Sequence, residues 1–122
     1  MTAKRILIVE DTEDNRQIMR DLLTAAGYDV VEAHDGLVAA QTAAELRPEL
    51  IVMDIQLPIL NGYEATRLMR ANPALRNVPI IAVTSYALSG DDEKARAAGC
   101  NGYIAKPFSP RQLLATIRGF LD

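Results

Sequence analysis

Four short apolar runs punctuate the chain: Ile6-Leu7-Ile8-Val9, Leu50-Ile51-Val52-Met53, Ile80-Ile81-Ala82-Val83 and Tyr103-Ile104-Ala105. A fifth, Val30-Val31, is more polar at its margins. Runs of this length, rich in β-branched residues, fit strands covered on both faces, as in a parallel sheet. The weaker Val30-Val31 segment fits an edge strand.

The stretches between the runs carry helical periodicity. From Asp14 to Ala26, Ile18, Met19, Leu22, Leu23 and Ala26 form an apolar stripe, and Gly27 is a natural stop. A second helix opens at Asp35-Gly36 and ends before Pro48, because the residue preceding proline avoids helical angles. A third spans Asn61 to Ala71 and halts at Asn72-Pro73. A fourth covers Ser89 to Ala98, with Asp91, Asp92 and Glu93 complementing the helix dipole in its first turn. The last has Ser109 as N-cap and Pro110 at the first helical position, with a stripe of Leu113, Leu114, Ile117, Phe120 and Leu121.

This alternation predicts an open α/β fold with a parallel sheet and right-handed crossovers. The 122 residues read as one domain over 1–122, with no linker, no tail to carry an output and no effector domain. Thirteen basic against sixteen acidic residues leave a net charge of −3, which argues against a nucleic-acid partner. A lone Cys100 excludes an internal disulfide or a cysteine zinc site, and a lone His34 excludes a histidine metal cluster. No apolar run approaches the ~18 residues of a membrane span. The run after Lys4-Arg5 stops at Val9, too soon for a signal peptide. A cytoplasmic domain is expected.

The informative residues follow the apolar runs. Glu10-Asp11 follows Val9, Asp54 follows Met53, Thr84-Ser85 follows Val83, and Lys106-Pro107 follows Ala105. In a parallel sheet these strand ends share one rim, and ligands bind there where the strand order reverses. With the common order 2-1-3-4-5, that point lies between the strands carrying Asp11 and Asp54. Three clustered carboxylates repel one another, and both Lys106 and a divalent cation would relieve the repulsion. An all-oxygen ligand set suits Mg²⁺, which keeps waters and so leaves positions for phosphate oxygens. A carboxylate can attack phosphorus to form an aspartyl phosphate, and the transferring group needs electrostatic stabilisation by metal, lysine and hydroxyl. Asp54 is then the nucleophile, Asp11 a direct metal ligand and Glu10 a ligand either directly or through water. Lys106 and Thr84 bind phosphoryl oxygens.

Together, Ile6-Leu7-Ile8-Val9-Glu10-Asp11, Met53-Asp54-Ile55-Gln56-Leu57-Pro58 with Asn61-Gly62, Val83-Thr84 and the run Gly99 to Pro107 resemble the receiver domain of two-component response regulators along essentially the whole chain. Within that family the chain is most similar to the single-domain DivK-type regulators, through Met53 to Pro58 and Gly90-Asp91-Asp92-Glu93. The resemblance implies five parallel strands in order 2-1-3-4-5 between two helix layers, a CheY-like and flavodoxin-like sandwich. It implies a histidine kinase or phosphotransfer protein as phosphodonor to Asp54, with Mg²⁺ present. The backbone carbonyl of Gln56 matches the position that completes the metal shell, and Thr84 and Tyr103 match the switch pair. Lys106–Pro107 is expected to be cis. Gln56, Ser85 and Tyr86 occupy variable positions that tune hydrolysis.

Such a chain is a phosphoacceptor that assists its own phosphorylation and dephosphorylation, not an enzyme. Its output is expected through protein contacts on the face built from Ser89–Ala98 and Tyr103–Leu121, as a monomer or weak dimer. Alternatives are a receiver fragment of a hybrid histidine kinase and a degenerate receiver that only binds partners. A nucleotide- or flavin-binding protein needs a phosphate-cradling loop after the first strand, where Glu10-Asp11-Thr12-Glu13-Asp14 repels anions. A hydrolase with an aspartyl-phosphate intermediate usually has a second Asp where Gln56 stands. Glu13 and Asp14 read as solvated helix-dipole complements, Cys100 as a small buried hydrophobe and His34 as a surface residue.

Overall fold

The computed structural model describes residues 3–84 and 91–121. Ser85, Tyr86, Ser89 and Gly90 lie outside the described residues. Five parallel strands, β1 (Arg5–Val9), β2 (Asp29–Ala33), β3 (Leu50–Asp54), β4 (Ile80–Thr84) and β5 (Gly102–Ala105), pair in the order β2-β1-β3-β4-β5. The expected order and the expected edge position of Val30-Val31 are both observed.

The apolar runs are continuous because each strand has two covered faces. Leu7, Val9, Ile51, Met53, Ile80 and Ala82 point to one side. There they pack under α2 (Gly36–Leu46), α3 (Gly62–Arg70) and α4 (Asp91–Ala98), through Ala39, Ala43, Ala65, Met69 and Ala95. Ile6, Ile8, Leu50, Val52, Ile81 and Val83 point the other way. They meet Met19 and Leu23 of α1 (Glu13–Ala25) and Leu113 and Ile117 of α5 (Pro110–Leu121). The parallel register, Leu7 opposite Ile51 and Met53 opposite Ala82, keeps the two sets apart.

Helix starts follow side-chain chemistry. Asp35 accepts from the Val38 amide at 2.8 Å, Asn61 and Glu64 form a reciprocal capping box, and Ser109 accepts from the Gln112 amide at 3.1 Å. Gly27, at φ 96°, turns the chain out of α1. A 3₁₀ turn at Pro73–Leu75 escaped the sequence reading, which saw only a stop there. Its three residues are too few for any periodicity. The Arg70 guanidinium ties the turn down by donating to the carbonyls of Leu75 and Gly99 and to Asn101 Oδ1. Two members of the predicted stripes are not core. Ile18 is 65% exposed because α1 covers the sheet with Met19 and Leu23, one and five positions on. Phe120 is partly exposed and lies over Gly102.

Candidate functional site

The site is built at the carboxyl ends of β1, β3 and β4 and just past the end of β5. The ladder runs one residue beyond the strands there: Glu10 N donates to Ala33 O at 3.1 Å, Ile55 N to Val83 O at 3.0 Å and Lys106 N to Thr84 O at 2.7 Å. These bonds fix the backbone under each functional side chain. Gly62 lets α3 begin directly behind Asp54, where a Cβ would stand 2.6 Å from the Asp54 carbonyl oxygen. No side chain fits in that gap. The Lys106–Pro107 peptide bond is cis.

Glu10 and Asp54 are withdrawn from water, at 1% and 4% exposure, while Asp11 beside them is exposed. One oxygen from each of the three carboxylates lies within 4.8 Å of the other two. Lys106 Nζ sits between the buried pair, 3.3 Å from Glu10 Oε1 and 3.3 Å from Asp54 Oδ2. Glu10 also accepts from Asn15 Nδ2 and from the Asp11 amide, both at 2.9 Å. Asp54 Oδ1 accepts from the Gln56 amide at 3.0 Å. The Gln56 side chain donates onward to the Thr84 hydroxyl at 2.8 Å.

The environment separates the two buried carboxyls. Burial pushes Asp54 up to about 7, reinforced by its hydrogen bond to Glu10 and by the Glu10 charge, against the pull of Lys106 and the Gln56 amide. Burial opposes ionisation of Glu10 too, but the hydrogen bonds from Asp54, Asn15 and Asp11 and the Lys106 charge bring it down to about 2. Burial also disfavours the Lys106 ammonium, yet the charges of Asp54 and Glu10 outweigh it and raise its pKa. Near neutrality the pair therefore sits close to sharing one proton.

The donor set fits a hard divalent cation. With all three carboxylates ionised and Lys106 protonated, the cluster carries a net charge of −2, and every ligand offered is oxygen. Mg²⁺ takes one or two carboxylates directly and keeps several waters, so a cluster spread over up to 4.8 Å would hold it by two carboxylates with a water bridging to the third.

Glu10, Asp11, Asp54 and Lys106, singled out separately in the sequence, thus converge. Thr84 joins them through Gln56. Tyr103 stands opposite Ala82 on the neighbouring strand, half-buried on the side of the sheet covered by α4. Two features were not foreseen. One is the Gln56–Thr84 bond. The other is a groove of about 590 Å³, mostly apolar, lined by Ile18, Met19, Leu22, Phe108 and Pro110 and ending at Glu10 and Lys106. Ile18 belongs to a predicted apolar stripe, and such a stripe does not reveal which of its members lies beyond the core.

Comparison with known proteins gives the arrangement its context. The family model described as "Response regulator receiver domain" matches residues 6–118. The polar-differentiation response regulator DivK of Brucella anthropi is 45% identical over 118 residues, covering 97% of this chain and 96% of that protein. Chemotaxis protein CheY4 of Vibrio cholerae superposes with a TM-score of 0.93 at 29% identity, covering 98% of this chain and 99% of that one. The receiver domain of a sensor histidine kinase from Pseudomonas aeruginosa, solved with a magnesium ion coordinated in its active-site cleft, superposes with a TM-score of 0.91 at 41% identity, covering 98% of both chains. A chain that matches over its whole sheet and presents its acidic cluster at the switch between β1 and β3 belongs to the response regulator receiver domains of two-component signalling.

Proposed function

We propose that the chain is a phosphorylation-dependent switch in which Asp54 accepts a phosphoryl group from a histidine kinase or phosphotransfer protein. The observation that carries this reading is the buried Asp54 carboxylate held 3.3 Å from Lys106 Nζ within a cluster of three acids. Asp11, Asp54, the Gln56 carbonyl and Glu10, directly or through water, hold Mg²⁺. When bound, the cation neutralises the cluster and the incoming phosphoryl oxygens. The chain's own residues do the rest. Asp54 presents an oxygen to phosphorus, Lys106 follows the charge from carboxylate to phosphoryl group, and Thr84 donates its hydroxyl to a phosphoryl oxygen. The P. aeruginosa receiver with magnesium in its cleft supports the choice of metal.

The phosphodonor reaches Asp54 over the groove between α1 and the start of α5. An apolar surface seated on Ile18, Leu22 and Phe108 brings its reactive group to the end occupied by Glu10 and Lys106. The signal leaves on the other side of the sheet. Thr84 and Tyr103 share one side by strand alternation, so movement of the Thr84 hydroxyl toward the phosphoryl group vacates space beside the Tyr103 ring. Inward rotation of Tyr103 then alters the surface of α4, β5 and α5 that a cytoplasmic protein partner reads. The chain acts as a phosphoacceptor that takes part in its own phosphorylation, not as a turnover enzyme. The reading holds for a free-standing regulator and for the receiver of a hybrid kinase alike.

Acetyl phosphate with Mg²⁺ is expected to add a single hydroxylamine-labile phosphoryl group, read by intact-protein mass. Asp54→Asn is expected to abolish it. Labelling of Asp54→Asn at the parent's stoichiometry, or absence of labelling in the parent, overturns the assignment.

A further inference from the structure

Gln56 links the nucleophile to the hydroxyl at the end of the fourth strand. Its amide N–H donates to Asp54 Oδ1 at 3.0 Å, and its carboxamide donates to Thr84 Oγ1 at 2.8 Å. Both ends of this bridge are anchored. The loop after Asp54 is pinned by Ile55 N on Val83 O at 3.0 Å and by Leu57 N on Ile55 O at 3.0 Å. The Thr84 carbonyl is held by Lys106 N at 2.7 Å, and the residue as a whole is 1% exposed. A bond of 2.8 Å between two anchored groups fails once the hydroxyl moves by about 1 Å, since little remains beyond 3.5 Å.

We propose that the Gln56 carboxamide is a latch on the Thr84 hydroxyl, holding the fourth strand's end in its resting position until a phosphoryl group on Asp54 draws the hydroxyl away. The inference rests on the phosphoacceptor reading and adds to it the part that sets the threshold of the switch. The carbonyl of Gln56 faces the metal cluster in that reading, while its side chain acts on the output hydroxyl. The residue at this position then governs how far the unphosphorylated protein already resembles the phosphorylated one. A hydrogen bond present in one state and absent in the other biases their equilibrium by its net strength, about 2- to 10-fold for a neutral pair.

Gln56→Met keeps the length and apolar body of the side chain but removes the donor. The probe is beryllofluoride with Mg²⁺, a mimic of the aspartyl phosphate, titrated by NMR. Gln56→Met is expected to bind the mimic about 2- to 10-fold more tightly than the parent, with a matching rise in the minor conformer that relaxation dispersion detects at Thr84 without the mimic. In a Thr84→Val background the same substitution is expected to change nothing, so that any effect acting through the metal cancels in the cycle. Equal or weaker binding by Gln56→Met, or an equal effect with and without the Thr84 hydroxyl, overturns the latch. Gln56→Ala gives the same reading if the methionine packs poorly. Failure of the parent to bind beryllofluoride sinks the phosphoacceptor reading instead, so the two failures are told apart by the parent alone.

Discussion

The two ends of the sheet use the same residue types to opposite effect. At the amino ends of the strands, Arg5 pairs with Asp29 at 3.1 Å with side chains 40% and 52% exposed, and Glu49 accepts from the Arg5 amide. At the carboxyl ends, Glu10, Asp54 and Lys106 form a similar set of charges, but both carboxylates are buried. Exposed pairs gain little and cost little, whereas buried charges are desolvated and need every partner in place. The amino end is a solvated boundary of the fold. The carboxyl end holds an excess of negative charge where water cannot screen it, an arrangement that lowers stability and suits the cation and phosphoryl group proposed for it.

The largest test of this contrast is the pH dependence of stability. The folded-state value of Asp54, about 7, lies above its ordinary 3.8, so the folded protein binds more protons than the unfolded chain between about pH 4 and pH 7. Stability falls across that window as pH rises, and the deficit is complete above it. Glu10 works in the opposite sense. Its folded value of about 2 lies below 4.5, so its contribution is present above pH 4.5 and is lost as pH falls toward 2. Urea denaturation without metal is expected to show a maximum near pH 4 and a fall on the order of 2–4 kcal/mol by pH 8. Asp54→Asn is expected to remove the fall, and Mg²⁺ to offset it in the parent but much less in Asp54→Asn. A profile that is flat from pH 5 to 8 breaks the contrast between the two ends.

Next in size is the loss of the lysine. Lys106→Met leaves Glu10 and Asp54 facing each other without a cation. It is expected to cost about 2–3 kcal/mol at pH 8, and less at pH 5, where the Asp54 proton already relieves the pair. Denaturation midpoints at the two pH values check both the size and the sign. An equal loss at both would mean that Lys106 contributes packing of its alkyl stem instead of charge.

Much of this was legible in the sequence, for reasons that differ by residue. The apolar runs announced buried strands because parallel strands have two covered faces, and the polar residue after each run then had only one edge to occupy. That is how Glu10, Asp54, Thr84 and Lys106 converge from distant positions. The Ser109 cap, and Asp35 and Asn61 as helix starts, were legible because capping is local chemistry. The α1–α5 groove was not, since Ile18 and Met19 are adjacent apolar residues of one stripe and only the packing of neighbours exposes the first and buries the second. Nor was the Gln56–Thr84 bond. It joins residues 28 apart through side-chain rotamers, which no periodicity encodes.

The smallest expected effect is at the amino end, and it serves as the control. Arg5→Met removes the ion pair with Asp29 but leaves the Arg5 amide on Glu49 and the strand register untouched. Both side chains are well solvated, so desolvation was never large and the Coulombic gain is screened. The expected loss is under about 1 kcal/mol and shrinks further in 0.5 M salt. It is expected to be the same at pH 5 and at pH 8. Salt has little access to the buried carboxylates at the other end, so the loss on Lys106→Met is expected to persist under the same conditions. Should Arg5→Met prove as costly and as pH-dependent as Lys106→Met, burial would not be what distinguishes the two ends. The acidic cluster would then be one charged patch among others instead of a site held ready for phosphoryl transfer.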